Sequence, residues 1–144
     1  LPPAVDAEVD KYYASRTLLG DGSASPTIKI ALYVESDAER DAYPWVPELV
    51  PELRAVVSGK HWVDLMHPDA DKGLALAQLA EAMGVAMSET AAFGDYLNDL
   101  GMLRAAGHAV AMGNAHEDVK AVADEVVGTN TDGAAVARLA KWLS

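Results

Sequence analysis

Asp95, Asn98 and Asp99 crowd one short stretch, Phe93-Gly94-Asp95-Tyr96-Leu97-Asn98-Asp99. Two carboxylates and an amide on one turn suit a hard cation such as Mg²⁺, which is usually held by one or two carboxylates plus substrate phosphate. The flanking residues show what must position them. Glu89 to Phe93 is short, apolar and bounded by polar residues, the pattern of a buried strand. Leu97, Leu100, Met102, Leu103 and Ala106 recur at helical spacing up to Gly107, a helix stop. The three side chains therefore sit on a strand-to-helix turn. In an open α/β sheet that is the carboxyl end of a strand, where ligands bind. A Gly-Asp turn followed by a helix cap would account for any one of these residues. A cap needs one such side chain, and the stretch supplies three.

Composition narrows the possibilities. The chain has 144 residues, 51% of them hydrophobic, enough for a real core in one domain or two small lobes. Lys and Arg number 11 against 22 Asp and Glu, a formal net charge of -11. No basic patch is visible, so neither nucleic acid nor an anionic membrane surface is an expected partner. There is no cysteine, hence no disulfide framework and no thiolate chemistry. No apolar run approaches the ~20 residues that span a bilayer. The start, Leu1-Pro2-Pro3-Ala4-Val5-Asp6, has neither the basic nor the apolar region of a signal peptide. The expected location is the cytoplasm. The absence of an initiator Met is read as a chain that begins partway through something longer.

Along the chain, Val5 to Arg16 patterns as a short helix and Leu19 to Pro26 as a loop. Thr27 to Val34 patterns as a strand, Ser36 as the cap of a helix to about Tyr43, and Pro47 or Pro51 as a residue of a first helical turn. Arg54–Ser58 and His61–Met66 pattern as two strands joined by a hairpin-like turn. From Asp71 onward helices and strands alternate. The expected helices are about 72–83, 97–106, 116–123 and 133–143, and the strands are 91–93, 109–112 and 125–127. Such alternation implies parallel strands with crossover helices, and a lobe boundary is placed near 67–70.

The C-terminal half resembles the haloacid dehalogenase-like hydrolases, specifically the Cof-type sugar-phosphate phosphatase group. Four elements carry the resemblance, in family order. They are Asp71-Lys72-Gly73 with the helix to Ala80, Gly94-Asp95-x-x-Asn98-Asp99-x-x-Met102-Leu103, Ala106-Gly107-x-Ala109 to Ala115, and Thr129-Asn130-x-Asp132-Gly133. The resemblance implies a doubly wound parallel sheet whose C-terminal portion is residues 68–144. Residues 1–67 would then be part of the α/β cap lobe that this group inserts into its core.

It also implies a chemistry. An aspartate attacks phosphorus, a second aspartate two residues later acts as acid and base, and Mg²⁺ neutralises charge. Lys72 matches the lysine that touches the transferring phosphoryl group, as equatorial charge requires. Asp95 matches the metal ligand and a catalytic position. Asp99 matches the second acidic position, a ligand through water or an orienting group. Asn98 matches a contact to substrate phosphate.

The nucleophile motif, an apolar strand followed by Asp-x-Asp, is absent. Asp69-Ala70-Asp71 has the spacing but follows His67-Pro68, and it reads as a loop and helix cap; Gly20-Asp21-Gly22 is a turn with no strand before it. A parallel sheet without that strand exposes edges and apolar faces, so association is expected, with the missing N-terminal segment or with another copy. The expected function is a Mg²⁺-dependent phosphatase of small phosphorylated metabolites such as sugar phosphates, this chain alone being inactive. The alternative is a non-catalytic module derived from that fold, which binds metal and phosphate or mediates assembly. The phosphorylation domain of P-type ion pumps carries a similar pattern but continues into membrane helices. His61, His67, His108 and His116 lack metal-ligand spacing and read as surface or satisfied polar residues. Trp45, Trp62 and Trp142 read as packing. The loop of Asn130, Asp132 and Gly133 fits an active-site rim and a helix cap equally.

Overall fold

The structure is a computed structural model and describes residues 28–144. The helix expected over 5–16, the loop over 19–26, the turn at Gly20-Asp21-Gly22 and the start of the strand at Thr27 lie outside the described residues.

Lys29–Tyr33 (β1), Arg54–Gly59 (β2) and Trp62–Met66 (β3) form an antiparallel sheet in the order β1-β3-β2. β-Branched and aromatic residues favour these strands. The β2–β3 hairpin shifts register between Val57 and Gly59, where a bulge tightens the turn. Alternation then sorts the side chains. Leu32, Ala55, Val57, Val63 and Leu65 join one apolar cluster, closed by Ala38, Val46 and Val50. These last residues come from two one-turn helices or their ends, Ala38–Asp41 (α1) and Val46–Leu49 (α2). The cap of α1 is Asp37, whose carboxylate accepts from Arg40 N–H at 3.0 Å, rather than the expected Ser36. Pro47 occupies the first turn of α2, where its missing N–H is harmless. Trp45, expected to pack, is 63% exposed.

The parallel sheet is Ala91–Gly94 (β4), His108–Ala111 (β5) and Glu125–Val126 (β6), in that order. Between the two sheets runs Lys72–Met83 (α3), bounded by Asp71 at its N-cap and by Gly84 at φ 67°. Leu100–Ala105 (α4), Glu117–Val122 (α5) and Ala134–Leu143 (α6) complete the alternation. The helix expected from Leu97 starts instead as a 3₁₀ turn over Leu97–Asp99 and becomes α-helical at Leu100. Helices cover both faces of the sheet. A Cβ on Gly94 would lie 2.9 Å from Leu103 of α4, and Phe93, on the opposite face, lies 5.7 Å from Trp142 of α6. Ala92, Leu103, Ala109, Ala111 and Val119 are the buried centre. This is a doubly wound α/β layer beside an α/β lobe, the fold class expected.

β4 pairs on one side alone among the described residues. The carbonyls of Thr90 and Gly94 accept from β5, so Ala91 and Phe93 turn their backbone groups toward the free edge. Apolar side chains are exposed on both helices near this sheet: Leu74, Leu79 and Met83 on α3, and Val136, Leu139 and Leu143 on α6. Among the described residues no helix is long and apolar enough to cross a membrane.

Candidate functional site

β4 ends at Gly94, and the chain turns there under tight steric control. A Cβ on Gly94 would stand 2.7 Å from the Asp99 Cβ, so glycine is what lets the 3₁₀ turn fold back against the strand. The turn presents Asp95 and Asn98 half-buried and Asp99 buried. Asp99 is engaged through both oxygens. Its Oδ2 accepts from the Asp95 N–H at 3.0 Å, and its Oδ1 accepts from Lys72 Nζ at 2.5 Å. The Asp99 side chain is 8% exposed while Lys72 is 50% exposed, so the lysine lies along the protein with its ammonium tethered and two N–H donors without a partner among the described residues.

Lys72 is held from behind as well. Asp71 caps α3 by accepting from the N–H of Gly73 at 2.7 Å and of Leu74 at 3.1 Å. Its other oxygen meets Arg54 of β2 at 2.7 Å, and Arg54 also donates to the Ala70 carbonyl at 2.7 Å. The Arg54 guanidinium holds the Asp71 carboxyl below the usual carboxylate range, helped by the two helix N–H groups and opposed by burial. Asp71 is thus a cap and cross-link, as its setting in the sequence indicates, while Asp69 is exposed. Gly73 and Gly101 let the two helices meet at this point: a Cβ on Gly73 would fall 2.5 Å from the Gly101 carbonyl oxygen.

Asp95 is framed from the other side. Asn130 Nδ2 donates to its Oδ2 at 2.6 Å, and the Asn130 N–H is received by Asn114 Oδ1 at 2.8 Å. The loop before α6 therefore does both things open to it. Asn130 reaches the acidic turn, and Asp132 accepts from the Thr129 N–H and hydroxyl. His116 was not a sequence candidate, yet its N–H donates to the Asp95 carbonyl at 2.9 Å and its Nε2 lies 3.3 Å from Glu39 of α1. Its ring meets Tyr96 edge-on at 5.6 Å. Burial raises the Tyr96 phenol above its usual value, as do the Glu39, Asp37 and Asp95 carboxylates, so it stays protonated.

Two cavities flank the Lys72–Asp99 pair. One, about 570 Å³, lies between the antiparallel sheet and the start of α3 and is lined by Lys29, Arg54, Asp64, Lys72 and Asn98 among others. The other, about 420 Å³, runs along the free edge of β4 and is lined by Asp95, Asp99, Asn130, Phe93 and Ala134. Asp95 and Asp99 together face this second space. No group of three or more His, Asp or Glu side chains suited to a metal occurs among the described residues. The donors present fit the carboxylate share of a hard-cation site whose remaining ligands are water, phosphate or other protein oxygens.

A sequence model of the haloacid dehalogenase-like hydrolases matches residues 10–139. Phosphatase YwpJ of Bacillus subtilis (strain 168) is 48% identical over 96 residues, 67% of this chain and 33% of that protein. A haloacid dehalogenase-like hydrolase from B. subtilis superimposes with a TM-score of 0.66 at 38% identity, over 79% of this chain and 41% of that one. The subclass IIB sugar phosphatase BT4131 does so with a TM-score of 0.68 at 26% identity, over 82% and 44%. The chain thus spans about a third of the curated relative and less than half of these two structures. With a parallel sheet, a Gly94-Asp95-x-x-Asn98-Asp99 turn at its carboxyl edge and a family match across most of its length, this chain belongs to the haloacid dehalogenase-like hydrolases, in their Cof-type group.

Proposed function

We propose that this chain supplies the C-terminal core and part of the cap of a Mg²⁺-dependent phosphatase acting on small phosphate monoesters, sugar phosphates among them. The observation that carries the reading is the tether Lys72–Asp99–Asp95, which fixes an ammonium and a carboxylate at the carboxyl end of β4. Lys72 is the charge that stabilises the transferring phosphoryl oxygens, with two donors left after Asp99 takes one. Asn98, beside it on the cavity wall, donates to the same phosphate. Asp95, oriented by Asn130, holds Mg²⁺ with Asp99 next to it; the ion would neutralise charge on the phosphoryl group. The named functions of YwpJ and BT4131 support the reaction class. Residues 1–67 act as cap and 68–144 as core.

The attacking aspartate comes from a strand that adds to β4. The open backbone groups of Ala91 and Phe93 and the 420 Å³ cavity beside them are where such a strand fits. It would be the segment that corresponds to the N-terminal part of the longer relatives; a second copy of this chain, which lacks the motif, would cover the edge without supplying the aspartate. The cytoplasm is the proposed location. Phosphate release from a monoester panel, with Mg²⁺ and then with chelator, tests the reading; no Mg²⁺-dependent release from any monoester by the complete protein overturns it. Hydrogen exchange at the Ala91 and Phe93 amides tests the added strand, which protects both.

The second reading is a metal- and phosphate-binding module without turnover. The Asp69-Ala70-Asp71 spacing is not in a nucleophile's setting: Asp69 lies exposed in the loop before α3 and not at the end of a strand of the parallel sheet, and Asp71 is committed to its helix cap and Arg54. Calorimetric binding of phosphate with Mg²⁺ but no hydrolysis would favour it.

A further inference from the structure

Asp64 and Asp99 are the buried charged residues among those described. Asp99 belongs to the site above. Asp64 does not; it lines the cavity of about 570 Å³ together with Lys29, Lys72 and Asn98. Its side chain is 6% exposed, and its Oδ2 is 3.1 Å from Lys29 Nζ. The Oδ1 has no hydrogen-bond partner among the described residues. Yet no fully buried side-chain oxygen or nitrogen there lacks one, so Oδ1 is open to the cavity that Asp64 lines.

Strand alternation explains the placement. Val63 and Leu65 flank Asp64 in β3 and go to the apolar cluster, while Asp64, Met66, Lys29, Arg54 and Val56 share the other face. That face needs no ion pair for stability, because an apolar pair of similar volume there is commonly as stable. What the pair adds is chemistry: a carboxylate acceptor beside an ammonium with two donors spare among the described residues, on an apolar wall of Val56 and Met66. The cavity of about 570 Å³ is of small-metabolite size. Lys72 of α3 and Asn98 of the 3₁₀ turn line it together with Lys29 and Asp64 of the antiparallel sheet.

Resting on the phosphomonoester reading, we propose that Lys29 and Asp64 form the subsite for the leaving alcohol and select polyhydroxylated leaving groups, Asp64 accepting from one hydroxyl and Lys29 donating to its neighbour. The phosphate would sit at the Lys72 and Asn98 end, where the Lys72–Asp99 pair joins this cavity to the one that Asp95 and Asp99 line. A site built to pair with substrate hydroxyls discriminates strongly against analogues that lack them, because its own polar groups are then left unpaired.

The test compares Asp64→Asn and Lys29→Gln in the complete polypeptide that carries residues 1–144. Lys29 is 48% exposed, so its replacement leaves the sheet intact even if Asp64→Asn does not fold. The expected result is a loss of about 10–100-fold in kcat/KM for glucose phosphate and glycerol phosphate, with para-nitrophenyl phosphate changed by less than about 3-fold. Equal losses on all three, or no loss on any, overturn the subsite. Calorimetry separates this from the reaction itself. Binding of glucose phosphate should weaken about tenfold or more in both variants while binding of inorganic phosphate holds. If the unaltered protein hydrolyses nothing, the phosphatase reading fails, and the calorimetric comparison still decides the subsite.

Discussion

The antiparallel sheet and the turn after β4 each bury one carboxylate and pair it with one lysine, and the two pairs look alike by exposure. Asp64 and Asp99 are 6% and 8% exposed in their side chains, Lys29 and Lys72 are 48% and 50%. Their surroundings differ. Asp99 is anchored a second time, by the Asp95 N–H, and its lysine opens an α-helix whose cap is itself clamped by Arg54. Asp64 has one anchor, and its lysine opens an edge strand. The doubly anchored pair is rigid, as transition-state charge stabilisation requires. The singly anchored pair keeps an oxygen and two donors unpaired among the described residues, which suits the proposed recognition of varied alcohols.

The sharpest way to break this contrast is Lys72→Ala. On the proposed phosphatase reading, removing a fixed charge aimed at the transition state should cost about 10²–10³ in kcat with little change in KM. Initial rates in the complete enzyme measure it on any phosphate ester. A substrate-dependent loss like that expected at Lys29 would merge the two pairs into one function. Asp95→Ala should abolish the Mg²⁺-dependent rate while the thermal midpoint stays within a few degrees. Full activity in that variant removes Asp95 from the metal site.

Gly94→Ala attacks the rigidity itself. The added methyl collides with Asp99 Cβ at 2.7 Å and with Leu103 at 2.9 Å. Overpacking of this kind costs about 1–3 kcal/mol. Thermal unfolding should show a lower midpoint, and turnover should fall because Asp99, and Lys72 with it, is displaced. An unchanged midpoint would mean that the turn is looser than its packing implies.

Most of this framework could be read from residue order. Asp71 and Gly84 bracket α3 because a side-chain acceptor at one end and a positive-φ glycine at the other are local signals. The alternation after Asp71 showed the parallel sheet for the same reason. The 3₁₀ start at Leu97–Asp99 was missed, since three residues are too few to tell a period of 3.0 from 3.6. The Lys72–Asp99 contact spans 27 positions, and only resemblance brought the two together in advance. Arg54, Asn114, His116 and the Lys29–Asp64 pair were invisible as site neighbours. Each acts through a partner at least 16 positions away, and propensity and periodicity carry no information at that range. Trp45 was misjudged because an aromatic in a Pro-rich stretch has no neighbouring pattern to say which way it points.

The cross-links between sheet lobe and core rank below the lysine pairs. Arg54→Ala leaves Asp71 capping α3 without its guanidinium. Asp71 titrates below its usual range in the folded protein. It therefore stabilises the fold fully above the unfolded value of about 3.9, and that stabilisation is lost as pH falls through the folded value. Removing Arg54 raises the folded value, so the acid limb of an unfolding curve should move to higher pH. The loss near neutrality should be about 1 kcal/mol once the partial exposure of Arg54 is discounted. An acid limb left in place would mean that the helix N–H groups alone set Asp71.

Glu39→Gln probes the other cross-link and should do least. Glu39 and His116 meet at 3.3 Å, but Glu39 is 43% exposed and the contact is single. Exposed pairs contribute about 0–1 kcal/mol. The His116 N–H reaches the Asp95 carbonyl through the backbone, so it survives the substitution. Thermal unfolding should therefore shift by no more than a degree or two, and turnover on para-nitrophenyl phosphate by less than about twofold. A large loss of turnover with an unchanged midpoint would show that Glu39 controls how the antiparallel sheet seats over the Asp95 turn. Lobe position, and not only the rigidity of the Lys72–Asp99 pair, would then govern the chemistry.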